Sequence, residues 1–200
     1  LETLGDTDDA ARLTQVRLLM SGAGWYDTTV ARFGGTEPLV SHWSRIVDLP
    51  LALMIGFFKY FTTTANAETL TRYMWPLIVL FCTLALIARA VEARSDRVGA
   101  FTSVLLTITA FSAIGQFLPG RIDHHNMMIL GAVGGILLLA ESLSSPRVGW
   151  WAGALLALGT AVGYEALSLS VAALAIVNLQ PLVTGRGGAG AKHASIAFAA

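Results

Sequence analysis

The 200 residues are 54% hydrophobic and 13% charged, with no net charge, and the mean hydropathy is +0.64. A soluble domain of this length carries too much charged surface to read that way, so an all-α, polytopic transmembrane helical bundle is expected, embedded in membrane lipids and with no nucleic-acid partner. Single Cys82 lies in an apolar run, which excludes an internal disulfide and a cysteine-based zinc site.

The first nine residues show neither the basic nor the apolar region of a signal peptide, there is no starting Met, and the apolar run from Ala194 stops within itself at Ala200. The expectation is an internal piece of a longer membrane protein. Asp6-Thr7-Asp8-Asp9 precedes Ala10 to Met20, where Leu13, Val16 and Met20 recur at helical spacing while Arg12, Gln15 and Arg17 take other faces. An acidic turn capping a short amphipathic helix follows, stopped by Ser21-Gly22-Ala23-Gly24. Trp25 to Arg45, with Gly34, Gly35 and Pro38, reads as an irregular loop outside the lipid, closing on His42-Trp43-Ser44-Arg45. Ile46 to Phe61 is apolar but short, with Asp48, Pro50 and Lys59 marking its ends, and is expected to lie on the membrane surface.

Residues 1–70 thus read as an outer-face part with juxtamembrane helices, and 71–200 as the transmembrane part. Spans are expected at about 71–92, 98–118, 124–143, 148–163 and 165–183, with another starting at 193. Arg89, Arg94 and Arg97 assign the loop after the first span to the cytoplasm. That puts residues 120–126 and Glu165 on the outer face, and the surface placement of 46–61 puts Asp6 to Asp9, His42 and Arg45 there too.

The densest polar stretch between apolar runs is Gly120-Arg121-Ile122-Asp123-His124-His125-Asn126. Charged and imidazole groups are costly at membrane depth, so this corner belongs at a surface that water or an ion can reach. Asp123 is placed to cap the following helix. Asp123, His125 and one carboxylate of Asp6, Asp8 or Asp9 would form a mixed oxygen and nitrogen site for Mg²⁺ or Mn²⁺, able to neutralise a phosphate or diphosphate leaving group. The plainer alternative is a helix cap beside two interfacial histidines. Arg12, Arg45 and Arg121 suit a lipid-linked phosphate, or anchor the chain at the surface. His42 is a ligand or a packing residue of the loop, and His124 a possible additional ligand. Glu165 interrupts an apolar run and fits a general base, a group behind a ligand, or a surface turn. Gly131, Gly134 and Gly135 are expected where helices approach closely, and Gly185 to Gly190 lacks the ending of a phosphate loop.

An acidic first outer loop leading into a helix with an arginine, then two spans, then Asp-x-His at the next span resembles the membrane-embedded GT-C glycosyltransferases. Within them the likeness is to the catalytic subunit of oligosaccharyltransferase. That family's first motif often runs Asp-Pro-x-x-x-x-Arg, which Asp6 to Arg12 matches with Thr7 in place of Pro, and Gly120 to His125 is similar to the Asp-x-His second motif of archaeal members. Trp150-Trp151 is not the family's Trp-Trp-Asp acceptor motif. The resemblance implies a GT-C bundle in a bacterial or archaeal cytoplasmic membrane, with its active site on the periplasmic face. It implies a polyprenyl-phosphate or polyprenyl-diphosphate sugar donor, a lipid, polysaccharide or protein acceptor, and a metal on Asp6, Asp123 and His125. Donor phosphate would fall to Arg12, Arg45 and Arg121, and catalysis to Asp8, Asp9 or Glu165. A rival of another class is a proton- or cation-coupled secondary transporter using Asp123, His125 and Glu165 as a relay; a third is a structural subunit of a membrane complex.

Overall fold

The computed structural model describes residues 6–30 and 38–200; the Gly34-Gly35 part of the expected loop lies outside them. The chain is mostly helical and gathers into two compact units, one of residues up to Ile78 with Gly115–Asn126, the other of Val79–Ile114 with Met127–Ala200.

In the first unit, α1 (Thr7–Met20) starts where the Asp6 side chain accepts the Asp8 N–H, and it ends at Ser21 and Gly22, whose φ of +101° favours glycine. Its inward face carries Asp9, Arg12 and Gln15 beside Leu13 and Val16, far more polar than an ordinary core. Two short strands, β1 (Thr29–Val30) and β2 (Leu39–Val40), pair antiparallel with Thr29 opposite Val40. Helix α2 (Arg45–Phe58) is capped by the Ser44 hydroxyl. It buries Val47, Asp48, Leu51 and Ile55 while Leu49, Leu53 and Phe57 stay exposed. Those three recur every fourth residue, so the outward stripe is apolar and suits lipid better than water. At fourteen residues α2 is too short to cross a bilayer.

Helices α1 and α2 are joined by charge. Arg12 Nη1 donates to Asp48 Oδ1 at 2.8 Å with both side chains fully buried, and Arg45 Nη1 reaches Asp48 Oδ2 at 3.2 Å. Arg45 also donates to the Gln15 carbonyl, at 2.8 Å, and to the Asp27 carbonyl. The Arg12 guanidinium lies over the Trp43 ring, 4.9 Å from its centroid. Two cations therefore share one carboxylate out of water. Arg12 and Arg45, expected at a donor phosphate, are turned inward to Asp48 instead and show a phosphate no exposed face.

The second unit begins within α3 (Thr64–Glu92), which contributes to both. The expected single span at 98–118 is broken into α4 (Arg97–Ile108) and a short α5 (Phe111–Ile114) running into a 3₁₀ turn, the two meeting at 71°. The Thr107 and Thr109 hydroxyls bond back to the carbonyls of Ser103 and Leu106, a competition with the backbone ladder that bends helices. Then come α6 (His125–Ser142), α7 (Val148–Val162), α8 (Ala166–Thr184) and α9 (Gly188–Ala199). The break at Gly163 to Glu165 falls where the sequence places it. Helix α9 starts earlier than the expected 193, because glycine that is a poor helix former alone is held here by packing. A Cβ on Gly190 would strike the Ser142 carbonyl, and one on Gly153 the Ala194 carbonyl. Gly131 on α6 likewise approaches Gly159 on α7, where a Cβ would come within 2.6 Å of a Cα, the close contact that small residues allow. Helices α3, α6 and α8 are long and apolar enough to cross a membrane, and the bent α4–α5 pair makes a fourth if it counts as one span.

Replacing Asp48 with Ala leaves two buried guanidiniums without counter-charge. The expected loss is about 3–5 kcal/mol, measured as a drop in thermal unfolding temperature of the detergent-solubilised protein.

Candidate functional site

The site lies in the first unit, where the start of α1 meets residues 116–126. Its organising group is Arg121. Nη1 donates to Asp6 Oδ2 at 2.9 Å and to Asp9 Oδ2 at 3.2 Å, residues 115 and 112 positions away. Nη2 donates to Asp123 Oδ2 at 2.9 Å and to the side-chain Oε1 of Gln116 at 2.9 Å. Asp9, fully buried, uses its other oxygen to accept the backbone N–H groups of Ile122 and Asp123, at 2.8 and 3.1 Å. The carboxylate near the chain's start therefore shapes the backbone of the corner.

Sequence explains why the corner turns here. Gly120 has φ +100°, and its N–H bonds the Arg72 carbonyl of α3 at 2.9 Å. Asp123 Oδ1 then accepts the His125 N–H at 3.0 Å, capping α6 at its first residue. The Asn126 side chain closes the turn on the Arg121 carbonyl at 3.0 Å. Asp123 Oδ2 also meets His125 Nδ1 at 3.0 Å, which directs His125 Nε2 away from the carboxylate; the imidazole is about a third exposed. His124 packs its ring against His125 at 4.3 Å and against Trp43 at 5.5 Å.

The protonation balance follows from these contacts. The Arg121 hydrogen bond, helped by the Asp8 N–H, pulls Asp6 down to about 2. Burial dominates at Asp9 and pushes it above the usual carboxylate range against the pull of the Ile122 N–H and Arg121. Burial also opposes the charge on Asp123, but the side-chain and backbone hydrogen bonds of His125, with the charges of His125 and Arg121, bring it below that range. Arg121 is partly desolvated, yet its three carboxylates hold it above the ordinary guanidinium value.

Among the described residues, one group of three metal-ligating side chains has its donor atoms within 4.8 Å of one another: Asp123, His124 and His125. One carboxylate oxygen and two imidazole nitrogens fit a borderline ion such as Mn²⁺ better than Mg²⁺, which favours oxygen donors. His124 thus stands where the sequence reading put Asp6, which goes to Arg121 instead. Asp8 is half-buried at the site's edge. His42 is exposed and touches the Trp43 ring at 6.1 Å. Glu165 belongs to the second unit, exposed just before α8, on an apolar cleft of roughly 260 Å³ with Met128 and Leu169. Gln116 was not singled out from the sequence, and Asn126 only as the end of the polar stretch; their neutral amides give little signal there, although both bond to Arg121. The chain matches no known family model, curated protein or solved structure.

Asp6 is acidic in the fold, with its value moved from 3.8 to about 2. Its contribution to stability is therefore complete above pH 3.8 and lost as the pH falls through 2. Asp6→Asn is expected to remove that part of the acid transition, seen as a flatter dependence of unfolding temperature on pH across this window. A titration with Mn²⁺ followed by electron paramagnetic resonance checks the ligand set. Asp123→Asn should abolish binding, Asp6→Asn should cost no more than about tenfold, and Arg121→Gln should tighten binding by removing a competing cation.

Proposed function

We propose that the chain is a GT-C-like membrane glycosyltransferase, moving a sugar from a polyprenyl-phosphate or polyprenyl-diphosphate donor to a lipid, polysaccharide or protein acceptor at a membrane surface. One observation carries the reading: acidic residues of the first helix and an Asp-His-His corner more than a hundred residues later converge on a single guanidinium, beside the starts of apolar helices. Placing carboxylates and imidazoles there costs desolvation energy, which a charged substrate would repay.

In this reading Asp123, His124 and His125 would hold a divalent cation, whose chemistry is to neutralise charge on the donor phosphate. The Asp123 Oδ2–His125 Nδ1 contact holds the two ligating groups side by side, so that an ion bound there would take the place of the proton they share. Arg121 holds three carboxylates in register and acts as a positioning residue. Asp9, buried and bonded to two backbone N–H groups, fixes the corner; its neighbour Asp8 is the better base. As the acceptor oxygen or nitrogen bonds to the anomeric carbon, Asp8 takes its proton, and the carbon–oxygen bond to phosphate breaks with the electron pair leaving on phosphate. The exposed apolar side chains of α3, among them Met74, Leu77 and Ile78, give the polyprenyl tail a surface to lie along. Arg12 and Arg45 serve this site by holding α1 and not by touching the donor.

The test is sugar transfer by the full-length protein from a polyprenyl-diphosphate donor. Asp123→Asn and Asp8→Asn are each expected to lower turnover by about a hundredfold or more, with the unfolding temperature of Asp8→Asn near wild type. Turnover that survives chelation and both substitutions would exclude the proposal, and ion-driven uptake by proteoliposomes without transfer would favour the transporter.

A further inference from the structure

Two turns along α1 from Asp9 lies a second polar feature that sugar transfer does not use. Asp9, Leu13 and Arg17 follow one another every fourth residue on one face of α1, so Arg17 stands about 12 Å along the axis from the carboxylate cluster. There a cleft of roughly 410 Å³ opens between α1 and the first turns of α3, lined by Arg17, Arg72, Asn66, Glu68 and Thr69 over Leu13. It is the most polar of the clefts described, with two guanidiniums and one carboxylate and hence a net charge of +1. Arg17 is fixed rather than loose: its Nε and Nη2 fork onto Glu68 at 2.8 and 2.5 Å. Glu68 is mostly covered while the Arg17 side chain is more than half exposed. A guanidinium has five N–H donors, so this fork leaves Arg17 with an edge turned to the cleft. Glu68 and Arg72 are one turn apart on α3, which sets both cations on the same mouth.

The position points to the ligand. Arg72 is followed at once by Tyr73, where the apolar part of α3 begins, and α3 is the longest of the helices fit to cross a membrane. Tyr60, Phe61 and Tyr73 are exposed nearby in sequence, the aromatic residues that favour the water–lipid boundary. Paired guanidiniums at that depth match a phosphate in geometry and charge.

We propose that the Arg17–Arg72 cleft is an anion site for a phosphate mono- or diester at lipid headgroup depth, separate from the Asp-His corner and independent of its activity. Glu68 preorganises Arg17 and at the same time lowers the cleft's charge, so it limits the affinity. Arg17 and Arg72 receive the phosphate oxygens, with the Asn66 and Thr69 side chains at the rim.

Native mass spectrometry of the detergent-solubilised full chain tests this with phosphatidic acid, diacylglycerol of the same tails, and inorganic diphosphate. Retention of phosphatidic acid but not diacylglycerol, without competition from diphosphate, identifies a membrane lipid as the source. Retention of diphosphate alone identifies a soluble phosphate. In either arm Arg17→Ala and Arg72→Ala should weaken binding about tenfold each, the loss of one charge-assisted hydrogen bond. Glu68→Gln should strengthen it several-fold, an effect that a merely structural Arg17–Glu68 pair would not produce. Unfolding temperatures measured alongside show whether each variant is folded, and the gain in Glu68→Gln does not depend on an alanine variant surviving. Binding of neither phosphate, or binding indifferent to Arg17 and Arg72, or weakened by Glu68→Gln, would overturn the proposal.

Discussion

A guanidinium does not give up its proton in a protein, so the carboxylates around Arg121 find in it a permanent counter-charge, which His125 supplements at Asp123. Three of them do so: Asp6 from the helix cap, Asp9 from the first turn and Asp123 from the corner. One positive charge does not balance three negative ones in a space half closed to water. The excess is visible in opposite responses. Asp6, at the exposed edge, is drawn to about 2, whereas Asp9, enclosed, is driven upward by burial. A proton on Asp9 is one way of discharging that surplus, and on the proposed function a divalent ion on Asp123 would be another.

That balance requires α1 to be rotated correctly, since each residue turns a helix by about 100° and one step would carry Asp9 out of reach of Ile122 and Asp123. The Arg12–Asp48–Arg45 network sets the rotation. It sits one turn beyond Asp9, its bonds run from α1 to α2 and to the carbonyls of Ser44, Gln15 and Asp27, and an apolar contact in its place would tolerate sliding. Buried ion pairs are weak sources of net stability but strict about geometry. The α1–α2 contact therefore gives up stability that apolar packing could supply, in exchange for orientation of the acidic turn.

Much of this site could be read from the residues alone, because ionisable groups in an otherwise apolar chain are conspicuous. Asp6 as a cap, Asp123 at the head of α6, and the break before Glu165 are all local features whose signal lies within a few positions. The direction in which a long side chain points is different. Arg12 reads as a phosphate ligand because its partner Asp48 is 36 positions away; the Arg45–Asp48 pair is local, three residues apart on α2, but sequence does not show that both face inward to Arg12. His124 in place of Asp6 among the clustered donors is likewise decided by the path of the corner, not by spacing. The bend after Ile108 and the early start of α9 at Gly188 went unread for a related reason: hydroxyl back-bonding and tight helix packing override an apolar pattern without altering it.

The corner's attachments also narrow what it can meet. Gly120 is hydrogen-bonded to the α3 backbone, Asn126 locks Arg121 from the first turn of α6, and Asp9 holds the intervening backbone from α1. Helices α3 and α6 are apolar for most of their remaining length. The polar groups therefore stand beside Tyr73, where the apolar part of α3 begins, and at the first residues of α6. A small hydrophilic substrate would use only the polar end of such an arrangement. On the proposed function, an anionic head would meet the corner while its apolar tail lay along the exposed side of α3, holding the head in place long enough for a slow bond exchange.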